Sequence, residues 1–413
     1  MKAKSFLKML STAIVTGLVV AGMALPAIAG TTYTPVAGTT TTLKKYLKLD
    51  QTANVPNATI QFTVTAGTAI PAAPGKMEVL AGLQPGDVTV EDAVFASTDT
   101  KLTAVAQGDI ITLGEGEAYV VKTLTANFTS VNFPEPGVYR YIITEEDPNV
   151  PGMNIDPQPT RTLDVYIVDD PDNEGTLKVL GYVLHTDTDA PDANATMGTT
   201  ADSHSATKSD GFTNTYGTRN LWVGKTVTGN QGSRDKYFAI TVVLTGLGNG
   251  TVLDVLYDGA TTDPVYGNAD ASIAANPNAA TTVIPSAVTQ PTQLTADASG
   301  EVTQTFYLQH GQHFVICGIP VSATYTVTEN AEDYKSAAGA SSLNFNDNTS
   351  GTIATADVKT GYTNTRDGVI PTGVLLTAVP VIVVGLIAVA GVAFFAVRNA
   401  RRKAQDDVEA AEE

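Results

Sequence analysis

Short runs in which apolar and polar residues alternate dominate the middle of the chain. Leu163-Asp164-Val165-Tyr166-Ile167-Val168, Tyr237-Phe238-Ala239-Ile240-Thr241-Val242 and Tyr325-Thr326-Val327-Thr328 are typical. Side chains of an extended strand point to opposite faces in turn, so a period of two marks a strand with one buried face. β-Branched and aromatic residues fill these runs. Turn formers such as Asp169-Asp170-Pro171-Asp172-Asn173-Glu174-Gly175 separate them. Helical periodicity is scarce, and threonine recurs at polar positions, as on the solvent faces of antiparallel sheets. The pattern predicts an all-β protein built from β-sandwiches.

Two segments break the alternation, one at each end. Lys2, Lys4 and Lys8 precede an apolar run from Met9 to Leu25, and Ala27-Ile28-Ala29 follows with small-x-small spacing. Residues 1–29 therefore read as a secretory signal peptide cleaved after Ala29, the apolar run being short for a retained membrane helix. Val374 to Val397 is uncharged and long enough to form a transmembrane helix. Arg398, Arg401, Arg402 and Lys403 then hold its end on the cytoplasmic side. Val369-Ile370-Pro371-Thr372-Gly373 stands immediately before the span. Pentapeptide, apolar span and basic tail (369–413) together resemble a cell-wall sorting signal read by a sortase. The resemblance implies cleavage between Thr372 and Gly373, with Thr372 as acyl donor. Val369 and Ile370 depart from the common Leu-Pro opening.

Between these ends the strand pattern repeats. Each unit opens on a lysine in an alternating strand, Leu43-Lys44-Lys45-Tyr46-Leu47 and Val223-Gly224-Lys225-Thr226-Val227. Each continues to a tyrosine-led strand ending in Thr-Glu, at Glu145 and Glu329. Each closes on an aromatic-Thr-Asn-Thr strand, Phe212-Thr213-Asn214-Thr215 and Tyr362-Thr363-Asn364-Thr365. Lysine and glutamate are nearly equally spaced in the two units. Glutamate to asparagine is roughly twice as long in the first, the surplus being an acidic, Gly/Asp/Ser-rich stretch around Asp187 to Ser209 that reads as a long loop. The boundary falls near Gly217 to Asn220. Two tandem Ig-like β-sandwich domains are expected, at 30–218 and 219–368.

Strand phase adds chemistry to this outline. Lys45 is in register with Leu43, Leu47 and Leu49, and Lys225 with Leu221, Val223 and Val227. Glu145 shares a face with Tyr141 and Ile143, and Glu329 with Tyr325 and Val327. Asn214 is in phase with Phe212 and Tyr216, and Asn364 with Tyr362. Each unit thus aims a lysine, a carboxyl and an amide at an apolar core, where such groups are normally excluded. Low dielectric strips the proton from a lysine and keeps it on a glutamic acid. A neutral amine beside an amide whose carbonyl a carboxylic acid polarises can attack it, release ammonia and form an isopeptide bond. Folding supplies the proximity.

Lysine in the first strand, Tyr-x-x-Thr-Glu in the middle and (Phe/Tyr)-Thr-Asn in the last strand resemble the isopeptide-linked domains of Gram-positive major pilins. Glu135-Pro136-Gly137-Val138-Tyr139 and Val227-Thr228-Gly229-Asn230 add to the likeness, which covers nearly all of the chain between leader and sorting signal. It implies bonds Lys45–Asn214 assisted by Glu145, and Lys225–Asn364 assisted by Glu329. Lys44 and Lys48 sit on the opposite face. The family also implies a pilin-type sortase and identical subunits joined covalently head to tail, with minor pilins and peptidoglycan as further partners. The family's usual Tyr-Pro-Lys motif is absent. Some members instead use a lysine just before the last strand of the first domain, a placement Lys208 matches. The expected location is the cell surface, in pilus and wall, after transient membrane anchoring.

Composition narrows the alternatives. The formal net charge of −18 disfavours nucleic acid and anionic membranes as partners. The single cysteine, Cys317, lies in an apolar run and reads as a core residue, since no second thiol exists to pair with it. His310-Gly311-Gln312-His313 has metal-like spacing, but Gly311 suggests a hairpin turn and no third ligand follows. Asp187, Asp189 and Asp192 lack the glycine and closing glutamate of a calcium loop. No metal or other cofactor is expected, and no conventional enzyme. The nearest rival is a wall-anchored adhesin or minor pilin of the same fold that is never polymerised. A more distant one is an anchored enzyme, for which no triad or phosphate loop stands out.

Overall fold

The computed structural model describes residues 33–173, 175–192, 207–257, 290–368 and 392–402. The predicted signal peptide, Thr372 with Gly373, and most of the predicted span lie outside the described residues. Residues 392–402 are helical, with Val392, Phe394 and Phe395 exposed. Among the described residues no helix is long and apolar enough to cross a membrane.

The chain divides into two compact units, Met1–Thr228 with Ser233–Asn364, and Gly229–Gly232 with Thr365–Glu413. In the small unit Gly368 N–H donates to Asn230 Oδ1 at 2.7 Å, and Gln231 N–H to the Arg366 carbonyl at 3.1 Å. The large unit is all-β and holds two pairs of larger sheets. Every described sheet takes its strands from one side of Gly217 only.

Before Gly217, one sheet orders Leu177–His185, Thr160–Asp169, Gly137–Glu145 and Phe62–Ala66. The other orders Met153–Asn154, Gly211–Tyr216, Thr40–Asp50, Glu117–Asn127 and Thr89–Val90. Leu43, Leu47, Val120 and Leu124 of the second sheet meet Tyr141, Ile143, Leu163 and Val165 of the first in one core. After Gly217 a six-stranded sheet contains Thr218–Thr228 between His313–Pro320 and Val358–Thr365. A four-stranded sheet contains Phe238–Thr245 and Thr324–Asn330 as neighbours. Leu221, Val223 and Ile316 pack there with Ile240, Val242 and Val327. The alternation read from the sequence is the alternation of these buried faces.

Burial goes further than a single face on several strands. On the back of the Lys225 strand, Trp222 packs with Val315, Cys317, Ala340 and Phe345, which seats the lone thiol in a core. On the back of the Glu145 strand, Arg140 donates twice to the Asp164 carboxylate, at 2.8 and 2.7 Å, both side chains being buried. His185 Nε2 lies 3.1 Å from the same carboxylate and its Nδ1 lies 2.8 Å from Asp187. Arg140 also donates to the Asp189 carbonyl at 2.8 Å, and Lys76 pairs with Asp192 at 2.5 Å. The start of the acidic stretch is therefore held by hydrogen bonds from Arg140 to its backbone carbonyls and by the Lys76–Asp192 ion pair, whereas the sequence suggested only a long loop. Gly311 sits at φ 79° in the turn between Val302–Leu308 and His313–Pro320, but these strands belong to different sheets, so the turn crosses between sheets and is not the hairpin that the sequence suggested.

Candidate cross-linking sites

Lys45, Glu145 and Asn214 come from three strands on two sheets and meet in the first core. Thr40–Asp50 runs parallel to Gly211–Tyr216, with Lys45 opposite Phe212 and Leu47 opposite Asn214. Glu145 ends the facing-sheet strand, with Phe62 opposite it on the next strand. Lys45 and Asn214 are fully buried and Glu145 is 3% exposed. Lys45 Nζ lies 2.7 Å from Glu145 Oε2 and also donates to Asn214 Oδ1. Asn214 Nδ2 donates to the other carboxyl oxygen, Glu145 Oε1, at 2.5 Å.

The carboxyl thus bridges the attacking and departing nitrogens. The sequence suggests a carboxyl that polarises the carbonyl and shuttles a proton; here the carboxyl meets the two nitrogens, and the carbonyl oxygen accepts from Lys45 Nζ and from the backbone N–H of Asp156, the latter at 2.9 Å. Burial pulls the Lys45 ammonium down to about 8, and the neighbouring Glu145 carboxylate only partly opposes this. A proton released by Lys45 has Glu145 Oε2 within hydrogen-bond reach.

At the second site Lys225 is fully buried against the Phe238 ring, its Nζ 4.4 Å from the centroid. It contacts Glu329 Oε1, and burial again draws its amine down to about 8. Glu329 Oε2 accepts a hydrogen bond from Ser336 Oγ at 2.9 Å. Asn364 is fully buried on the neighbouring Val358–Thr365 strand, and its amide has no hydrogen-bond partner among the described residues. Lysine and glutamate are therefore in contact here, while the asparagine is adjacent and not engaged by hydrogen bonds.

The lysines set aside by phase are elsewhere. Lys44 pairs with Asp109 at 2.6 Å and Lys48 with Glu117 at 3.2 Å. Lys208 is half-buried in a short antiparallel bridge to His185, at the end of Leu177–His185. His310 Nδ1 accepts the Val227 N–H at 2.9 Å, and His313 stacks on Trp222 with centroids 5.3 Å apart.

Two glycines matter that the sequence reading passed over. Gly211 and Gly361 each stand three residues before the reactive asparagine, in Gly-aromatic-Thr-Asn. A Cβ at Gly211 would overlap the Lys44 carbonyl oxygen, and one at Gly361 the Gly224 carbonyl oxygen. In both sites the bare backbone lets the asparagine strand lie hard against the residue preceding the lysine. The shared tetrapeptide was the available signal.

A family described as a domain of unknown function (DUF7601) matches residues 219–366. A curated protein named pilin, from Streptococcus pyogenes serotype M1, is 25% identical over 397 residues, 92% of this chain and 97% of that one. Two solved major pilins of Streptococcus pyogenes superpose with TM-scores of 0.46 and 0.44, at 21% and 22% identity. They match 80% and 81% of this chain and all of each of theirs.

Proposed function

We propose that this relative of a streptococcal pilin is the shaft subunit of a sortase-assembled surface pilus, with two sandwich domains that each seal themselves by an isopeptide bond. The observation that carries the reading is the buried Lys45–Glu145–Asn214 cluster, in which one carboxyl spans both nitrogens that must exchange a proton. Lys45 Nζ attacks Asn214 Cγ, a C–N bond forms, and Glu145 carries a proton from Nζ to Nδ2. The Cγ–Nδ2 bond then breaks and ammonia leaves. Lys225, Glu329 and Asn364 carry out the same exchange. Each glutamate acts once, so the chain is not a turnover enzyme.

In this reading a pilin-type sortase cleaves after Thr372 and passes the acyl group to Lys208 of the next subunit, while minor pilins and peptidoglycan take the ends of the fibre. What supports the choice of Lys208 is its position in a main-chain bridge to His185, at the edge of that sheet and upstream of the Asn214 strand.

Intact mass tests the first claim: residues 30–368, folded, are expected to weigh two ammonia equivalents less than the sequence requires. Full sequence mass after complete folding removes the cross-links. Gly211→Ala and Gly361→Ala are each expected to restore one ammonia equivalent by pushing the paired strands apart, and peptide mapping would show which site lost its bond. For assembly, Lys208→Ala is expected to abolish the detergent-resistant ladder of oligomers. A ladder that persists, with Thr372 mapped to another lysine, would return Lys208 to an ordinary role. A subunit that is cross-linked internally but never forms a ladder would favour the adhesin reading.

A further inference from the structure

We infer that the backbone N–H of Asp156 is the oxyanion donor of the first cross-linking site, and that the second site, which has no such donor among the described residues, forms its bond at a different rate. The inference rests on the cross-linking chemistry proposed above and adds a group and an order to it.

When Lys45 Nζ attacks Asn214 Cγ, the amide carbonyl becomes a tetrahedral centre and negative charge gathers on Oδ1. That oxygen is fully buried, so no bulk water answers the charge. Among the described residues its donors are Lys45 Nζ and the Asp156 N–H, the latter at 2.9 Å. Lys45 Nζ is consumed in the new bond and cannot remain a donor to the oxyanion. The Asp156 N–H persists through the step. A fixed donor aimed at developing charge in a dry site lowers the barrier without reorganisation.

The same N–H sets which way the amide faces. An N–H donor selects the carbonyl oxygen as its partner, which turns Nδ2 toward Glu145 Oε1, at 2.5 Å. The leaving nitrogen therefore already touches the carboxyl that delivers its proton. Ammonia departs with that proton, and the new amide keeps the remaining hydrogen of Nζ.

Asp156 is held rigidly in this pose by its own side chain. Its Oδ2 accepts from Thr213 N–H and from Arg161 Nη2, both at 2.7 Å, and its Oδ1 accepts from Gln158 N–H at 2.9 Å. Arg161 in turn lies over the Phe212 ring, 4.6 Å from its centroid, and donates to Ser209 Oγ at 3.0 Å. Both charged partners are buried, 6% and 7% exposed. This clamp ties the 156–158 turn to the strand that bears Asn214. Arg161 is a positioning residue; the Asp156 N–H touches a reacting atom.

Nothing comparable serves Asn364, whose Oδ1 and Nδ2 both lack hydrogen-bond partners among the described residues. Glu329 spends its second oxygen on Ser336 rather than on the amide. The second amide is neither oriented nor stabilised in this way.

The test follows ammonia loss at each site in chain made by cell-free synthesis, quenched in denaturant at intervals and mapped by peptide mass. In the unmodified chain the Lys45–Asn214 peptide is expected to form at least about tenfold faster than Lys225–Asn364. Incorporating malic acid at position 156 replaces the N–H by an ester oxygen and leaves the side chain unchanged. That chain, once its circular dichroism reaches the folded value, is expected to form the first bond about 100-fold more slowly, in line with loss of one oxyanion donor. The second bond keeps its rate, which a general weakening of the fold would not allow. Equal rates at the two sites of the unmodified chain overturn the inference, as does an unchanged first-site rate in the folded ester chain. The unmodified comparison decides the matter even if the ester chain does not fold. Absence of ammonia loss at both sites would instead sink the cross-linking chemistry itself.

Discussion

Glu145→Ala is expected to leave Lys45 and Asn214 unjoined and to remove most of the stability of the first sheet pair. Two losses combine. The proposed bond would join residues 169 positions apart. By analogy with a disulfide closing a loop of that size, its absence releases on the order of 5 kcal/mol of unfolded-state entropy. The substitution also strips the carboxyl from a fully buried lysine, and breaking such a buried pair costs about 3–5 kcal/mol. Together these approach the whole stability of an ordinary domain, about 5–15 kcal/mol. Scanning calorimetry is expected to show an early transition for the first sheet pair with the second unchanged. Lys45→Met also lacks the bond but buries no amine, so it is expected to melt above Glu145→Ala. The reverse order would mean that the buried charge contributes little.

The sign of the pH dependence separates the two variants further. Burial, the leading cause, lowers the folded Lys45 amine from 10.5 to about 8, and Glu145 opposes that shift. Without Glu145 the folded value falls lower still. Between that value and 10.5 the unfolded chain holds a proton that the folded chain has lost, so stability rises with pH. Below the window both states are protonated and the full burial penalty applies. Glu145→Ala is therefore expected to melt higher at pH 9 than at pH 7, with no such contribution from position 45 in Lys45→Met. A flat profile in Glu145→Ala would show that Lys45 escapes to solvent once its partner is gone.

Period-two phase made it legible before any coordinates that Lys45, Glu145 and Asn214, and likewise Lys225, Glu329 and Asn364, are buried polar side chains. Lys45 shares its face with the buried Leu43 and Leu47 and follows them into the core, and Glu145 follows Ile143, even though some residues on the opposite faces are buried as well. Repetition supplied the rest, since the second unit presents the same three groups in the same order. What phase could not reveal is carried by segments without period. Asp156 sits in the turn before Gln158, and its N–H reaches Asn214 Oδ1 through chain direction rather than side-chain identity. No residue type marks a backbone donor. Arg140 and Asp164 occupy the face that alternation assigns to solvent. They are buried because the Thr188–Asp189 segment folds back over them, a long-range event with no local signature. Which amide atom the glutamate faces is hidden for a related reason: strand phase places a carboxyl in the core but carries no information on the orientation of the amide beside it.

A polymer built from Glu329→Ala subunits is expected to lengthen under force, whereas one built from Glu145→Ala subunits is expected to stay nearly inextensible while losing heat and protease resistance. The difference lies in where tension would enter. In the proposed fibre, load enters a subunit at Lys208 and leaves through Thr372. From Lys208 it runs along Gly211–Tyr216 and passes Gly217 into Thr218–Thr228, so residues 40 to 207 stand outside the covalent path. Lys45 lies on a side branch of that path, and its bond to Asn214 bears little tension. The second sheet pair lies squarely on it. Residues 226 to 363 connect the Lys225 strand to the Asn364 strand, and without a bond all of them can be drawn out. With Lys225 joined to Asn364, tension steps between neighbouring strands of one sheet and never reaches the intervening chain. An extended chain gains at most about 3.3–3.6 Å per residue, so each unsealed second domain would release several hundred ångströms. Single-molecule pulling between Lys208 and Thr372 is expected to show such steps in Glu329→Ala and none of that size in Glu145→Ala. Equal extension in the two variants would overturn the argument that the Lys225–Asn364 bond, and not the Lys45–Asn214 bond, lies on the path of the load.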